Sequence, residues 1–282
     1  MEAFDIEVDS EDLDRWRVEV QQLMDESKKG VYSKAVNSPL IQDLVAGKVE
    51  PVVAPAVLIT DSPKKLQGAV GDRELATLAE EIGKRFRAAE TEIIIITPYF
   101  VPGKAGVETI TELIDKGTRV VVVTNSLAST NHVPVHSGYA RYRKPLLEAG
   151  TEIFEIKADA VSVPEDSEVN PEILTLHSKA TIIDRSTVFI GSLNFDPRSI
   201  DINTEMGLFI ESEVAGEGLF QAVRDSLGEA TYKVVLDDKG KLNWIHLAGT
   251  ENEEVLTKEP LTSFGRRFSA GFYGILPIES QL

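Results

Sequence analysis

A histidine followed two residues later by a lysine opens the segment LHSKATIIDRSTVFIGSLNFDPRS at 176–199. In an extended chain side chains alternate between faces, so His177 and Lys179 would project from the same side, with Thr181 beyond them. A neutral imidazole next to a permanent cation suits attack on a phosphodiester. The imidazole can attack phosphorus or carry a proton, and the ammonium can meet charge on a non-bridging oxygen. Farther on, Gly191 and Ser192 would let the backbone approach a ligand, the Ser192 hydroxyl could help, and Asn194 offers an amide donor. Glu205, near the start of a strand expected over 203–210, could hold the imidazole's other nitrogen and fix its tautomer. Asp184, seven residues past His177, has the opposite strand parity and reads as a brace in the turn of a hairpin. Taken singly, each residue has a bland reading: a satisfied strand histidine, a solvated lysine, turn-forming Asn194 and Asp196, a surface Arg198. The compound pattern H-x-K-x4-D-x6-G-S-x-N-x8-N-x-E over 177–205 is far harder to meet by accident.

A second candidate stretch is TNSLASTNHVPVHSGYARYR at 124–143, long and polar for a simple connection. His132 and His136 have the i,i+4 spacing of a helical metal pair, but Pro134 between them argues against a helix, and no metal site is expected. His136 is read instead as a loop hydrogen-bonder near a substrate. Tyr139 and Arg143, four apart at the start of the next helix, could reach the same mouth. The alternative for that pair is a solvated helix face.

The elements that would position these residues are those of an α/β fold. TEIIIITPYF and TRVVVVTNS are β-branched runs of the kind buried on both faces of a sheet. GVETITELIDKG between them has helical periodicity, so the three predict a right-handed crossover and a parallel pair. Helices are expected over 73–89 and 138–149 to cover the sheet, and a strand within 52–63. Ligands collect at the carboxyl ends of such strands, where TPYF (97–100) and 124–143 lie. Ahead of the sheet, residues 9–29 place Leu13, Trp16, Val20 and Leu23 at helical spacing, and 38–47 predicts a short helix capped by Ser38, with Pro39 in its first turn and Gly47 as its stop. Trp16, Trp244 and His246 are assigned to packing.

Composition narrows the function classes. The chain has 282 residues, no cysteine, and 46 acidic against 29 basic residues, a net charge of −17. Disulfides and thiolate metal sites are therefore out. Counterion release at a nucleic acid needs clustered Lys and Arg, and no cluster here is longer than a pair, so nucleic acid is not the expected partner. The same charge is awkward for an anionic membrane. No stretch reaches the roughly 18 apolar residues of a membrane span, and the acidic start MEAFDIEVDSEDLDRW does not read as a secretory signal. A soluble or peripheral, cytoplasmic protein is expected.

Residues 177–205 resemble the signature of the phospholipase D superfamily, in which phosphodiester chemistry runs through a histidine. TPYFVPG, the 124–155 stretch, ITDSPKKL and the tail EPLTSFGRRFSAGFYGILPIESQL resemble the C-type group of bacterial cardiolipin synthases, over essentially residues 10–282. The resemblance implies a mixed sheet flanked by helices, with an N-terminal helical connector (1–50) and a catalytic half-domain (51–282). It implies a phosphohistidine intermediate, no cofactor, phospholipid substrates, and a peripheral place on the cytoplasmic side of the bacterial inner membrane. Members of the group carry two histidine motifs and this sequence has one. The expectation is that it supplies the C-terminal half of a site, completed by a missing N-terminal half or a second copy. By that analogy His177 is the general acid/base, with Lys179, Asn194, Ser192 and Glu205 around it. The alternatives are a one-motif phosphodiesterase or nuclease acting as a homodimer, and an inactive product that only binds. Phe264, Phe268 and Phe272 recur every fourth residue in the tail. Such a stripe either lies in a headgroup layer or packs on protein, and packing is favoured because Gly265, Gly271 and Gly274 weaken an isolated helix.

Overall fold

In the computed structural model, which describes residues 10–27, 39–48, 51–66, 77–160 and 175–282, the helix expected at 9–29 is α1 (Ser10–Ser27) and the short one is α2 (Pro39–Val45). Ser38, the expected cap, and residues 73–76 lie outside the described residues. These two helices belong to one contact unit and the described residues from Val53 onward to another. Trp16 is 66% exposed, not packed, because α1 buries none of the side chains described along it.

The second unit runs β1 (Ala56–Thr60), α3 (Leu78–Ala88), β2 (Glu92–Ile96), α4 (Gly103–Asp115), β3 (Arg119–Asn125), α5 (Val133–Ala140), α6 (Arg143–Ala149) and β4 (Glu152–Ile156). It continues with β5 (Ala180–Ile183), β6 (Thr187–Gly191), β7 (Met206–Glu211), α7 (Glu213–Ala230), β8 (Thr231–Leu236), β9 (Leu242–His246), β10 (Glu254–Leu256) and α8 (Phe264–Tyr273). The strands join one mixed sheet in the order β1-β7-β6-β5-β2-β3-β4-β8-β9-β10. β2 and β3 are parallel, as the crossover pattern predicts, β4 adds to β3 in parallel, and the remaining pairings are antiparallel.

The two β-branched runs are buried on both sides because each face has its own helical cover. Ile93, Ile95, Val120 and Val122 pack with Leu78, Ile82 and Phe86 of α3, Ile110 and Leu113 of α4 and Leu146 of α6. Ile94, Ile96, Val121 and Val123 pack with Leu219, Phe220, Val223 and Leu227 of α7. Each such buried side chain contributes roughly 1.5–3 kcal/mol. Trp244 joins the first cluster, as assigned, while His246 is half-buried beside Lys157, its Nε2 3.1 Å from Nζ.

Two expectations need correction. The 124–143 stretch is not a loop throughout: α5 starts at Val133, and Pro134 sits in its first turn, where the missing N–H has no helical partner to lose. The helix expected at 138–149 is therefore two, α5 and α6. The tail helix α8 does form, capped by Ser263, whose hydroxyl accepts from the Arg266 N–H at 3.2 Å. Its phenylalanine stripe does not pack on the domain, since Phe264, Phe268 and Phe272 are 77%, 67% and 54% exposed.

Asp184 braces the β5–β6 turn as expected. It adopts φ of 49°, next to Arg185 at 53°. Its carboxylate accepts from the backbone N–H groups of Glu90 (2.9 Å), Thr91 (2.7 Å) and Glu92 (3.0 Å), and from the Thr91 hydroxyl (2.8 Å). The turn is thereby tied to the entrance of β2. Burial pushes the Asp184 carboxyl up, but these donors together hold it below its ordinary value.

Candidate active site

His177 and Lys179 lie ahead of β5, not within it, because the ladder with β2 begins at Ala180. What holds this leader is Asn125 at the end of β3. Its Oδ1 accepts from the Leu176 N–H (2.9 Å) and the Ser129 hydroxyl (3.1 Å), and its Nδ2 donates to the Leu176 carbonyl (3.0 Å) and the Pro98 carbonyl (3.3 Å). The Thr175 hydroxyl donates to the Ser129 carbonyl at 2.7 Å, and the Gly191 N–H to the Lys179 carbonyl at 3.1 Å. With both ends pinned, the two side chains meet as their spacing suggested. Lys179 Nζ is 3.4 Å from His177 Nε2 and donates to the His177 carbonyl at 3.2 Å. The imidazole is exposed and stands edge-on to Tyr99, centroids 6.5 Å apart. Burial lowers the Lys179 ammonium from its ordinary value, opposed by the charges of Glu205 and Asp196.

The G-S-x-N residues turn out differently from their expected roles. A Cβ on Gly191 would fall 2.6 Å from the Met206 carbonyl oxygen and 2.7 Å from the Phe189 ring, so the missing side chain serves packing between β6 and β7, not approach by a ligand. The Ser192 hydroxyl donates to the Glu205 carboxylate and accepts from the Met206 N–H at 3.0 Å, which occupies it and removes it as a free donor. Glu205 does not hold the imidazole. Its carboxylate accepts from Ser192 and from Asn203 Nδ2 (3.3 Å), and its backbone is clamped to Asp61 by an N–H to Oδ2 bond of 3.1 Å and a carbonyl accepting from the Asp61 N–H at 2.8 Å. One amide N–H of Asn194 reaches Ser199 Oγ at 3.4 Å and the other is free, while its buried Oδ1 has no partner.

Asn194 also lines a cavity of about 450 Å³ with Tyr99, His132, Asp196, Asn203 and Leu282. Burial raises the Asp196 carboxyl, against hydrogen bonds from Ser199, whose N–H donates to Oδ1 at 2.7 Å. That bond opens the π-helical turn Arg198–Ile202, which brings Arg198 and Ser199 to the cavity.

His136, Tyr139 and Arg143 do not join this mouth. They are 4%, 2% and 4% exposed and form a buried polar cluster under α5 and α6. Tyr139 donates its hydroxyl to Glu155 Oε1 at 2.9 Å, and Arg143 pairs with Glu155 (3.1 Å) and Glu259 (2.5 Å). His136 faces Glu259 at 3.8 Å, while the ring of His132, at the cap of α5, meets Tyr99. Burial pushes the Glu259 carboxyl up, but Arg143 and His136 together hold it well below the usual carboxylate range. The i,i+4 pair thus diverges, and among the described residues no group of His, Asp and Glu is arranged to hold a metal ion.

Four residues that sequence reasoning missed complete the geometry. Asn125 holds the leader, and Tyr99 stands between His132 and His177. Asp61 and Lys65 form a buried ion pair of 2.6 Å, in which Lys65 also donates to the Ser199 carbonyl at 3.1 Å and Asp61 accepts from the Leu78 N–H at 2.7 Å. The i,i+4 spacing of Asp61 and Lys65 in ITDSPKKL was the only signal available for that pair.

Comparison with known proteins adds the following. Residues 82–226 match the family described as "Cardiolipin synthase, PLD-like domain". Cardiolipin synthase C of Escherichia coli is 38% identical over 249 residues, which cover 87% of this chain and 52% of that protein. An uncharacterized protein of Helicobacter pylori is 27% identical over 225 residues, 79% of this chain and 43% of that one. The chain spans about half the length of the curated relatives it matches. Among solved structures, the phospholipase D family member Nuc from Salmonella typhimurium aligns with a TM-score of 0.45 at 16% identity, over 62% of this chain and 97% of that one.

Proposed function

This chain belongs to the cardiolipin synthase family of phospholipase D-like domains, and from that premise we propose that it supplies one motif-bearing half of a site that transfers a phosphatidyl group between phospholipids. The observation that carries the reading is the exposed His177 imidazole with the Lys179 ammonium 3.4 Å from its Nε2. A phosphate at that pair places one non-bridging oxygen on the ammonium and a bridging oxygen within reach of the ring. The free N–H of Asn194 is a second donor for the developing charge.

The reaction divides into two displacements. In the first, one imidazole attacks phosphorus as the bond to the leaving glycerol oxygen breaks, and a second imidazole gives that oxygen a proton. In the second, the same group takes the proton of the incoming hydroxyl, whose oxygen displaces nitrogen from phosphorus. His177 is assigned the proton-carrying role, and the nucleophile comes from a second half or a second copy. Among the described residues no carboxylate is hydrogen-bonded to the His177 ring, and Glu205 acts through Ser192 and Asn203 by fixing the strand start next to the site. The net charge of −17 and the absence from the sequence of any basic run longer than a pair favour a lipid phosphate over a nucleic acid. The phospholipid substrates put the proposed workplace at a membrane surface, on its cytoplasmic side as the family resemblance implies; no helix among the described residues is long and apolar enough to cross a membrane.

Turnover of phosphatidylglycerol, a DNA duplex and a chromogenic phosphodiester tests the reading, each by this chain alone and together with a separately produced half carrying a second motif. Transfer between phospholipids is expected only in the mixture, and His177→Ala is expected to reduce it by about 10²–10⁴-fold. Cleavage of DNA, or robust turnover by a strict monomer, would contradict it.

A further inference from the structure

We propose that the outer face of α8 is a lipid-docking surface, one that enters the apolar part of a phospholipid layer and sets the neighbouring cavity against it. The choice of a lipid as the occupant rests on the phospholipid substrate class proposed above. Leu261, Phe264, Phe268, Phe272 and Ile275 are all more than half exposed, and the rings of Phe264 and Phe268 stack at 6.4 Å. A soluble domain gains nothing by holding three phenylalanines in water, where each forgoes the transfer energy of its ring.

Charge says what kind of partner fits. More than a quarter of the chain is charged, yet from Leu261 to Gln281 every exposed position is uncharged. The charged residues of this stretch are turned inward. Arg266 donates to the carbonyls of Leu127 (2.6 Å) and Thr130, Arg267 to the Thr262 carbonyl and hydroxyl, and Glu279 accepts from Arg141 (3.1 Å) and Tyr142. The Arg266 bonds fasten the helix to the body, the Glu279 bonds fasten the segment after it, and Arg267 is taken up locally by Thr262, which leaves a face with nothing for a charged protein surface to pair with. On a molecule with net charge −17, such a stretch presents no exposed acidic side chain for an anionic membrane to repel. Apolar insertion, not attraction of basic residues to headgroups, is the mode of binding that this composition permits.

The position of the face links it to the chemistry. The chain leaves α8 at Tyr273 and within nine residues reaches Gln281 and Leu282, which line the 450 Å³ cavity shared with Asn194 and Tyr99. The Leu282 carbonyl accepts from the Arg198 N–H at 2.8 Å, which seats this end of the strap beside the π-helical turn. A lipid layer meeting the phenylalanines therefore lies one short strap away from the residues assigned to the phosphate.

Co-sedimentation with vesicles of phosphatidylcholine, alone and mixed with phosphatidylglycerol, tests this with the full chain and a Phe264→Ser/Phe268→Ser/Phe272→Ser variant. All three positions are exposed, and a thermal melt of the variant checks that the fold is kept. The wild type is expected to pellet with both vesicle types, little affected by salt, and the variant to bind about tenfold or more weakly. His177→Ala is expected to bind like the wild type, so failure of the catalytic reading and failure of this one are told apart. A wild type that stays in the supernatant, or a variant that pellets equally well, overturns the proposal. So does a wild type that sediments as a dimer while the variant is a monomer, which would give the face to a second copy.

Discussion

At the scale of single residues, the site is a contest between desolvation and pairing. Lys179 is partly withdrawn from water and its ammonium is correspondingly weakened, with Glu205 and Asp196 opposing that loss across the site. Asp184 shows the opposite balance, because several donors outweigh its burial. Its folded pKa is depressed, so its contribution to stability is present above the unfolded carboxylate range and lost as pH falls through the folded value. Asp184→Asn is expected to cost about 1 kcal/mol near neutral pH, the low end for a charged hydrogen-bond acceptor because solvent screens this carboxylate. Melts of the two proteins should converge as the pH falls below the ordinary carboxylate range. A gap that stays constant with pH would show that the charge is not what braces the turn. Asp184 was legible from strand parity alone. Glu205 was not: parity and spacing cannot say whether a carboxylate will be taken by an imidazole or by the closer Ser192 hydroxyl and Asn203 amide.

At the scale of elements, β2 and β3 were readable because a strand covered on both faces leaves an unbroken β-branched run. α5 was not, because Pro134 reads as a helix breaker until one knows that it occupies the first turn. The leader carrying His177 was read as strand and is instead irregular, since alternation persists in any extended segment whether or not a ladder forms. Its order comes from Asn125, two of whose four hydrogen bonds grip Leu176 in place of the missing ladder while the other two fix the amide to Ser129 and Pro98. Asn125→Ala is expected to speed hydrogen exchange at the Leu176 amide by about tenfold or more, each tenfold corresponding to about 1.4 kcal/mol of lost protection. Exchange at Ile94 and Val121 in the central strands should not change. An unchanged Leu176 amide would mean that the segment is held by other contacts.

At the scale of the whole molecule, one acidic chain presents two surfaces unlike the rest of it. One is a cavity that collects Tyr99, His132, Asn194 and Asn203 from three separate stretches of sequence. The other is an uncharged, aromatic helix face joined to that cavity by the final residues. Tyr139 and Arg143 show why the wider site was only partly readable. A tyrosine and an arginine four apart suit a binding mouth as well as a buried network, and only the positions of Glu155 and Glu259, 12 and 116 residues from Arg143, decide between them. The account as a whole rests on His177 and Lys179 acting together on a phosphate. Calorimetric titration with vanadate, which mimics phosphorus in its five-coordinate state, tests that most directly because it needs no turnover. The wild type should bind vanadate, and His177→Ala and Lys179→Met should each weaken binding about tenfold or more, while Phe268→Ser leaves it unchanged. Equal affinity in the wild type and both site variants would contradict the assignment.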